Sequence, residues 1–169
     1  MSKNKGCFRR PTADEQVVLS GMTVKLLESP PDIGKCDQIL VEHHYLKSAK
    51  LVGEQLRYAV TWKGQWLAVA TWSEAALHIK PRDGFIGWTE EQRRQRLALV
   101  VNNSRLYVSE DCHYPNLVGH FMKLMLGRLS LDWEKAWGHP VALAESFVDP
   151  EQYRGTAYKV SGWSQLGNT

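Results

Sequence analysis

Three arginines, Arg57, Arg82 and Arg105, lie in or beside strand-like sequence, where a solvated surface charge is least expected. A guanidinium in that setting has two uses. It pairs with a buried carboxylate, for which Asp83, Glu145 and Asp149 are at hand, or it converges with others on a phosphate, whose oxygens suit its planar fork. Glu145 sits in the apolar run Val141 to Val148, where burial would raise its pKa and fit it for base catalysis; a structural pairing with Arg105 is the alternative. Asn102-Asn103-Ser104-Arg105 sets four polar residues inside another strand-like run. That reads either as a bulge whose amides bond to nearby backbone or as a binding stretch. His43-His44, with His78, Asp83 or Glu145, suggests a metal site only superficially, because neighbours on a helix diverge by about 100°. With no Cys-x-x-Cys or His-Glu-x-x-His pattern, no metal is expected.

A second set of residues bears on nucleic acid. Arg9 and Arg10 follow Lys3 and Lys5 in an acid-free stretch, and Arg93, Arg94 and Arg96 crowd one short helical segment. Such cations would act on phosphates without reading sequence. Trp62, Trp66, Trp72, Trp88 and Trp163 could stack on unpaired bases, although alternation in the strands assigns most of them to the core. No carboxylate set of the kind that holds two metal ions for strand transfer is visible.

The elements that must position these residues can be read from periodicity and caps. Thr12 with Glu15 has capping-box spacing and opens a short helix to about Ser20. Thr23 to Glu28 alternates as a strand, and Ser29-Pro30-Pro31-Asp32 starts a helix that should run to about Leu46. Gln55 to Trp62 and Gln65 to Trp72, joined by Lys63-Gly64, form the clearest signal, a tight antiparallel hairpin. The small Ala68 and Ala70 on its second strand leave room for a helix or a ligand across them. Pro81-Arg82-Asp83-Gly84 reads as a turn, and Thr89 with Gln92 caps the arginine-rich helix. Leu97 to Val108 is strand-like. Apolar residues from Leu117 to Trp137 recur at three and four, the pattern of a long core helix that Gly138 and Pro140 stop. Val141 to Val148 is expected as a strand, and Asp149-Pro150-Glu151-Gln152 as the start of a last helix reaching Val160. Directly joined strands alongside helix-linked ones imply an α/β (α+β) fold, a mixed, mostly antiparallel sheet with helices on both faces.

Composition bounds the whole. With 169 residues, 43% hydrophobic and 23% charged, the chain suits one folded domain, divided here as a basic arm and short helix over 1–22 and a single body over 23–169. No apolar run approaches the length of a membrane span, and no apolar core follows the first cations, so neither a membrane partner nor a secretory signal is expected. Cys7, Cys36 and Cys112 are odd in number and irregularly spaced, which points to a reducing cytoplasm.

The element order and the closing Tyr158-Lys159-Val160-Ser161-Gly162-Trp163 resemble the GCN5-related acetyltransferase fold. That resemblance implies acyl-CoA where the fourth strand splays from the fifth, its pyrophosphate on a glycine-rich loop opening the long helix, and Tyr158 as general acid. Here the corresponding loop, Ser109 to Asn116, has no glycine and carries Glu110 and Asp111, which would repel a pyrophosphate. Acyl-CoA is therefore possible but disfavoured.

A closer resemblance rests on His43-His44-Tyr45-Leu46, Gln55-Leu56-Arg57-Tyr58, Arg82-Asp83, Ile86-Gly87-Trp88, Val101 to Arg105, Asp132-Trp133, Phe147-Val148-Asp149, Tyr153 to Tyr158, Trp163 and Gly167-Asn168-Thr169. These are similar to the DruA-type domain of Druantia anti-phage systems and of insertion-sequence transposases. The resemblance implies a DNA-associated accessory role beside a transposase or a helicase-type defence partner. A GCN5-type N-acyltransferase is the alternative activity. Relatives continue past the last motif with a basic stretch, so the chain reads as a shortened domain or the front of a longer one.

Overall fold

The computed structural model describes residues 9–168, so Lys3, Lys5 and Cys7 lie outside the described residues. After the capped helix α1 (Ala13–Gly21) and strand β1 (Thr23–Leu26), helix α2 (Pro30–His43) leads to the hairpin β2 (Gln55–Trp62) and β3 (Gln65–Glu74). Both capping signals act as expected: Thr12 and Glu15 form a reciprocal box, and the Ser29 hydroxyl accepts the Asp32 amide. Lys63 and Gly64 both take positive φ, 47° and 81°, which sets the hairpin turn to match the twist of its strands.

Helices α3 (Lys80–Ile86) and α4 (Glu90–Arg96) then lead through a short 3₁₀ turn into β4 (Val100–Val108), the long α5 (Leu117–Trp137), β5 (Leu143–Glu145) and α6 (Thr156–Val160). The five strands form one sheet in the order β1-β2-β3-β4-β5. All pairs are antiparallel except β4 with β5. This is the mixed, mostly antiparallel α/β sheet that the sequence suggested.

Helices cover both faces. On one, Phe121, Met122, Met125 and Leu129 of α5, with Val18 and Leu19 of α1, pack on Tyr58, Val60, Ala68, Ala70 and Trp72. A helix, not a ligand, lies across the two alanines. On the other face Cys36 and Leu40 of α2 cover Ala59 and Val69. Burial of these side chains at ~25 cal/mol per Å² is the main source of stability.

Four expectations need correction. Pro81 to Gly84 is helix, not turn: proline sits in the first turn of α3, Asp83 favours that end, and Gly87 closes the helix at φ 77°. Helix α2 stops at His43 because His44 goes extended and buried, its Nδ1 accepting the Leu46 amide at 3.2 Å. The last strand is only Leu143–Glu145, after which the chain leaves the sheet. Asp149 does cap a turn, accepting from Glu151 and Gln152, but no helix follows it, and the last helix begins only at Thr156, after Gly155 at φ 65°.

Candidate functional site

The β4–β5 pair holds for three residue pairs, Val100 with Leu143 to Asn102 with Glu145, and then the strands part. A bulge opposite Thr71 and Trp72 inserts one residue into β4 at Ser104. Because side chains alternate along a strand, that residue turns Asn103 toward the α5 face and leaves Arg105 toward α2. The polar quartet is thus a bulge, and Asn103 Nδ2 bonds the Thr71 carbonyl at 3.0 Å. The gap is filled by the chain's own C-terminal part. Tyr158 Oη donates to Asn103 Oδ1 at 2.6 Å, the Ser146 hydroxyl donates to the Asn103 carbonyl at 3.1 Å, and Trp163 stacks on Trp72 at 6.4 Å. Burial raises the Tyr158 pKa. A hydroxyl so placed is a packed hydrogen-bond donor in this conformation, not a free acid.

Beside the filled gap is an open cleft of about 540 Å³ between α3, β5 and residues 146–168. Its floor is ionic. Arg82, only 2% exposed, reaches both Glu145 oxygens at 3.1 Å, the Ala76 carbonyl at 2.9 Å and, through Nε, Asp83 at 2.9 Å. Arg82 Nη2 also lies 2.9 Å from Asp83, yet out of line for a hydrogen bond. Burial raises the Glu145 pKa against the opposing pull of Arg82. Asp83 goes the other way: burial pushes it up, but Arg82 and then Arg93 outweigh that and hold it low. Glu145 is therefore the partner of Arg82 and not, as expected from sequence, of Arg105. Phe85, Phe147 and Tyr153 are exposed on the cleft walls. Arg154 and Lys159 line it too, exposed and with no carboxylate partner among the described residues.

The other candidates scatter. Arg57 pairs with Asp37 at 2.7 Å, on the α2 side of the sheet. His43 stacks on Tyr107, while His44 is buried against Tyr45. Asn102 lies in the β4–β5 pair with its Oδ1 buried and unbonded. Arg105 bonds the carbonyls of Ser48, Lys50 and Ser104. Among the proposed phosphate cations, Arg9 meets Glu15, Arg94 meets Glu91, and Arg93 reaches Asp83 at 3.4 Å and His78. Arg10 and Arg96 are exposed. Burial pushes the Cys36 thiol up to about 12, and the residue belongs to the packed core under α2. No group of three or more His, Cys, Asp or Glu among the described residues could hold a metal ion, and none of their helices is long and apolar enough to cross a membrane.

Sequence reasoning missed Asp37 as the Arg57 partner and Phe85 altogether, and it named Phe147 and Arg154 only within family motifs, with no site role. Nothing in their spacing brings α3 to the C-terminal segment. The one available signal was Gly155, a glycine amid motif residues, which marks the break that carries Tyr153 and Arg154 to the rim.

No curated protein matches the sequence. Among solved structures, an Escherichia coli protein named as an N-acetyl transferase, YhhK, determined in solution with coenzyme A bound, is 13% identical. The likeness covers 86% of this chain and 93% of that one, at a TM-score of 0.47. The family model described as Druantia protein DruA matches residues 23–169, nearly all of the sheet and helices described above, and the chain belongs to the DruA family.

Proposed function

We propose that the chain is a defence-associated, nucleic-acid-binding accessory module that works beside a helicase-type or transposase partner, and that it binds unpaired strand in the cleft between α3, β5 and residues 146–168. The observation that carries this reading is the meeting of two unpartnered cations, Arg154 and Lys159, with exposed Phe85, Phe147 and Tyr153 in one concave site. Cations that track phosphates beside aromatic faces that accept any base are the usual means of holding single strands. The arginines of α4 are weaker candidates, because Arg93 and Arg94 already face Asp83 and Glu91.

The test is fluorescence anisotropy with a labelled oligothymidine across a salt series. Wild-type affinity should fall with salt, and replacing Arg154 and Lys159 together by Ala should lower the slope of log K against log salt by about 1.4, roughly 0.7 for each lost phosphate contact on a single strand. Replacing Arg93 and Arg94 should change it less. Binding that ignores salt, or that depends on α4 and not on the cleft, overturns the proposal. A rise in melting temperature with acetyl-CoA, absent with oligothymidine, would instead favour acyl transfer, for which the parting of β4 from β5 is the structural argument.

A further inference from the structure

Among the described residues, every other arginine that is not fully exposed faces a carboxylate: Arg57 meets Asp37, Arg82 meets Asp83 and Glu145, Arg93 meets Asp83, and Arg128 meets Asp132. Arg105 does not. Its half-buried guanidinium is held by carbonyls alone, Nε to Ser48 at 3.1 Å, Nη1 to Ser104 at 2.7 Å and Nη2 to Lys50 at 3.4 Å. No carboxylate of the described residues comes within ion-pair distance of it. Each nitrogen gives one N–H to the protein, which leaves a donor on each terminal nitrogen. Two donors on one planar cation match two oxygens of one phosphate.

The surroundings keep that charge uncompensated. Burial, and then Arg105 itself, hold His44 neutral in the physiological range, so it adds no second cation beside the guanidinium. The carbonyls come from the β4 bulge and from the loop after α2, so the guanidinium is already fixed before a ligand arrives. Tyr45 is within electrostatic reach of both Arg105 and Asp149, and its ring lies 5.3 Å from that of Tyr153. Tyr153 is 50% exposed and lines the cleft. An aromatic bridge therefore connects the cleft to the uncompensated cation.

We infer that Arg105 is a built oxyanion contact beyond the cleft's Tyr153 rim, and that it takes a phosphate group of the ligand. The carrier of that phosphate rests on the nucleic-acid reading above; the contact itself does not. A phosphodiester within a strand and the phosphate of a free nucleotide share this chemistry, and the experiment separates them.

The Arg105 Nε–H resonance of the ¹⁵N-labelled protein, assigned by its loss in Arg105→Lys, is followed during titration with inorganic phosphate, with adenosine monophosphate and with sodium chloride at matched ionic strength. Phosphate and the nucleotide should move it, and chloride should not. In the anisotropy assay Arg105→Gln should weaken oligothymidine binding about tenfold, and Arg105→Lys should fall between, since it keeps the charge but not the fork. Response to the nucleotide without any effect on the oligonucleotide supports the Arg105 contact and removes the strand. No movement with phosphate or nucleotide overturns the inference. Because Arg105 also anchors residues 48–50, melting temperatures accompany both variants, and if one fails to fold, the other, which also lacks the Arg105 resonance, gives the assignment and the wild-type titration decides the matter.

Discussion

His44 accepts the Leu46 amide on Nδ1, which leaves the ring proton on Nε2, and the side chain is 5% exposed. Burial, with help from Arg105, lowers its pKa from 6.5 to about 4. A group whose folded pKa is depressed contributes stability that is complete above its unfolded pKa and is lost as pH falls toward the folded one. The window is therefore about 6.5 down to about 4. Urea denaturation at pH 7 and pH 5 should show a loss of up to about 2 kcal/mol, and His44→Gln, which can still accept the Leu46 amide, should remove most of the difference. An unchanged pH slope in that variant would show that His44 is not the titrating group. The sequence could say that one of the two adjacent histidines would be packed. It could not say which, because the choice depends on where α2 ends, and the burial of His44 itself sets that end.

At the scale of elements, α3 is tied to β5 by charge. Arg82 bonds Glu145 on the strand and Asp83 on its own helix, while its Nη2 stays buried without a hydrogen bond. Removing one member strands the other in a low-dielectric site, which typically costs about 3–5 kcal/mol. Arg82→Met should lower stability by about that amount by leaving Glu145 and Asp83 unbalanced, and adding Glu145→Leu should recover a large part of it. If the double variant is no more stable than Arg82→Met, the pair is not the tie described here. Local signals made α1, α2, the hairpin, α4 and α5 legible, since caps and hydrophobic spacing act within a few residues. They failed at α3 and after Asp149. Pro81 in the first turn, Asp83 and the Gly87 cap make α3 a helix where the short Pro-Arg-Asp-Gly run suggests a turn, and Gly155 at φ 65° ends what Asp149 begins, while the Glu145 that anchors Arg82 lies 63 residues away.

For the molecule as a whole, the sheet and α5 form the stable body, and residues 146–168 are laid over it. Helix α6 has no buried residue, and its attachment rests on Tyr158, Trp163 and a few hydrogen bonds. Strands β2 and β3 carry the most buried positions of the sheet. Local opening follows buried contact, so amides of 156–163 should exchange with solvent well before those of β2 and β3. Exchange of both sets at one global rate would show that the C-terminal segment folds as part of the sheet. Residue order alone carried the fold class, the hairpin, the long core helix and the family motifs, because periodicity, caps and turn residues act locally, and it left the polar run of β4 open between a bulge and a binding stretch. Only the tertiary structure decided how the charges combine. Arg57, Arg82 and Arg105 looked alike in sequence, yet they end on Asp37, on Glu145 with Asp83, and on carbonyls alone. Ion pairing depends on a few ångströms between elements far apart in the chain, and no spacing rule carries that distance.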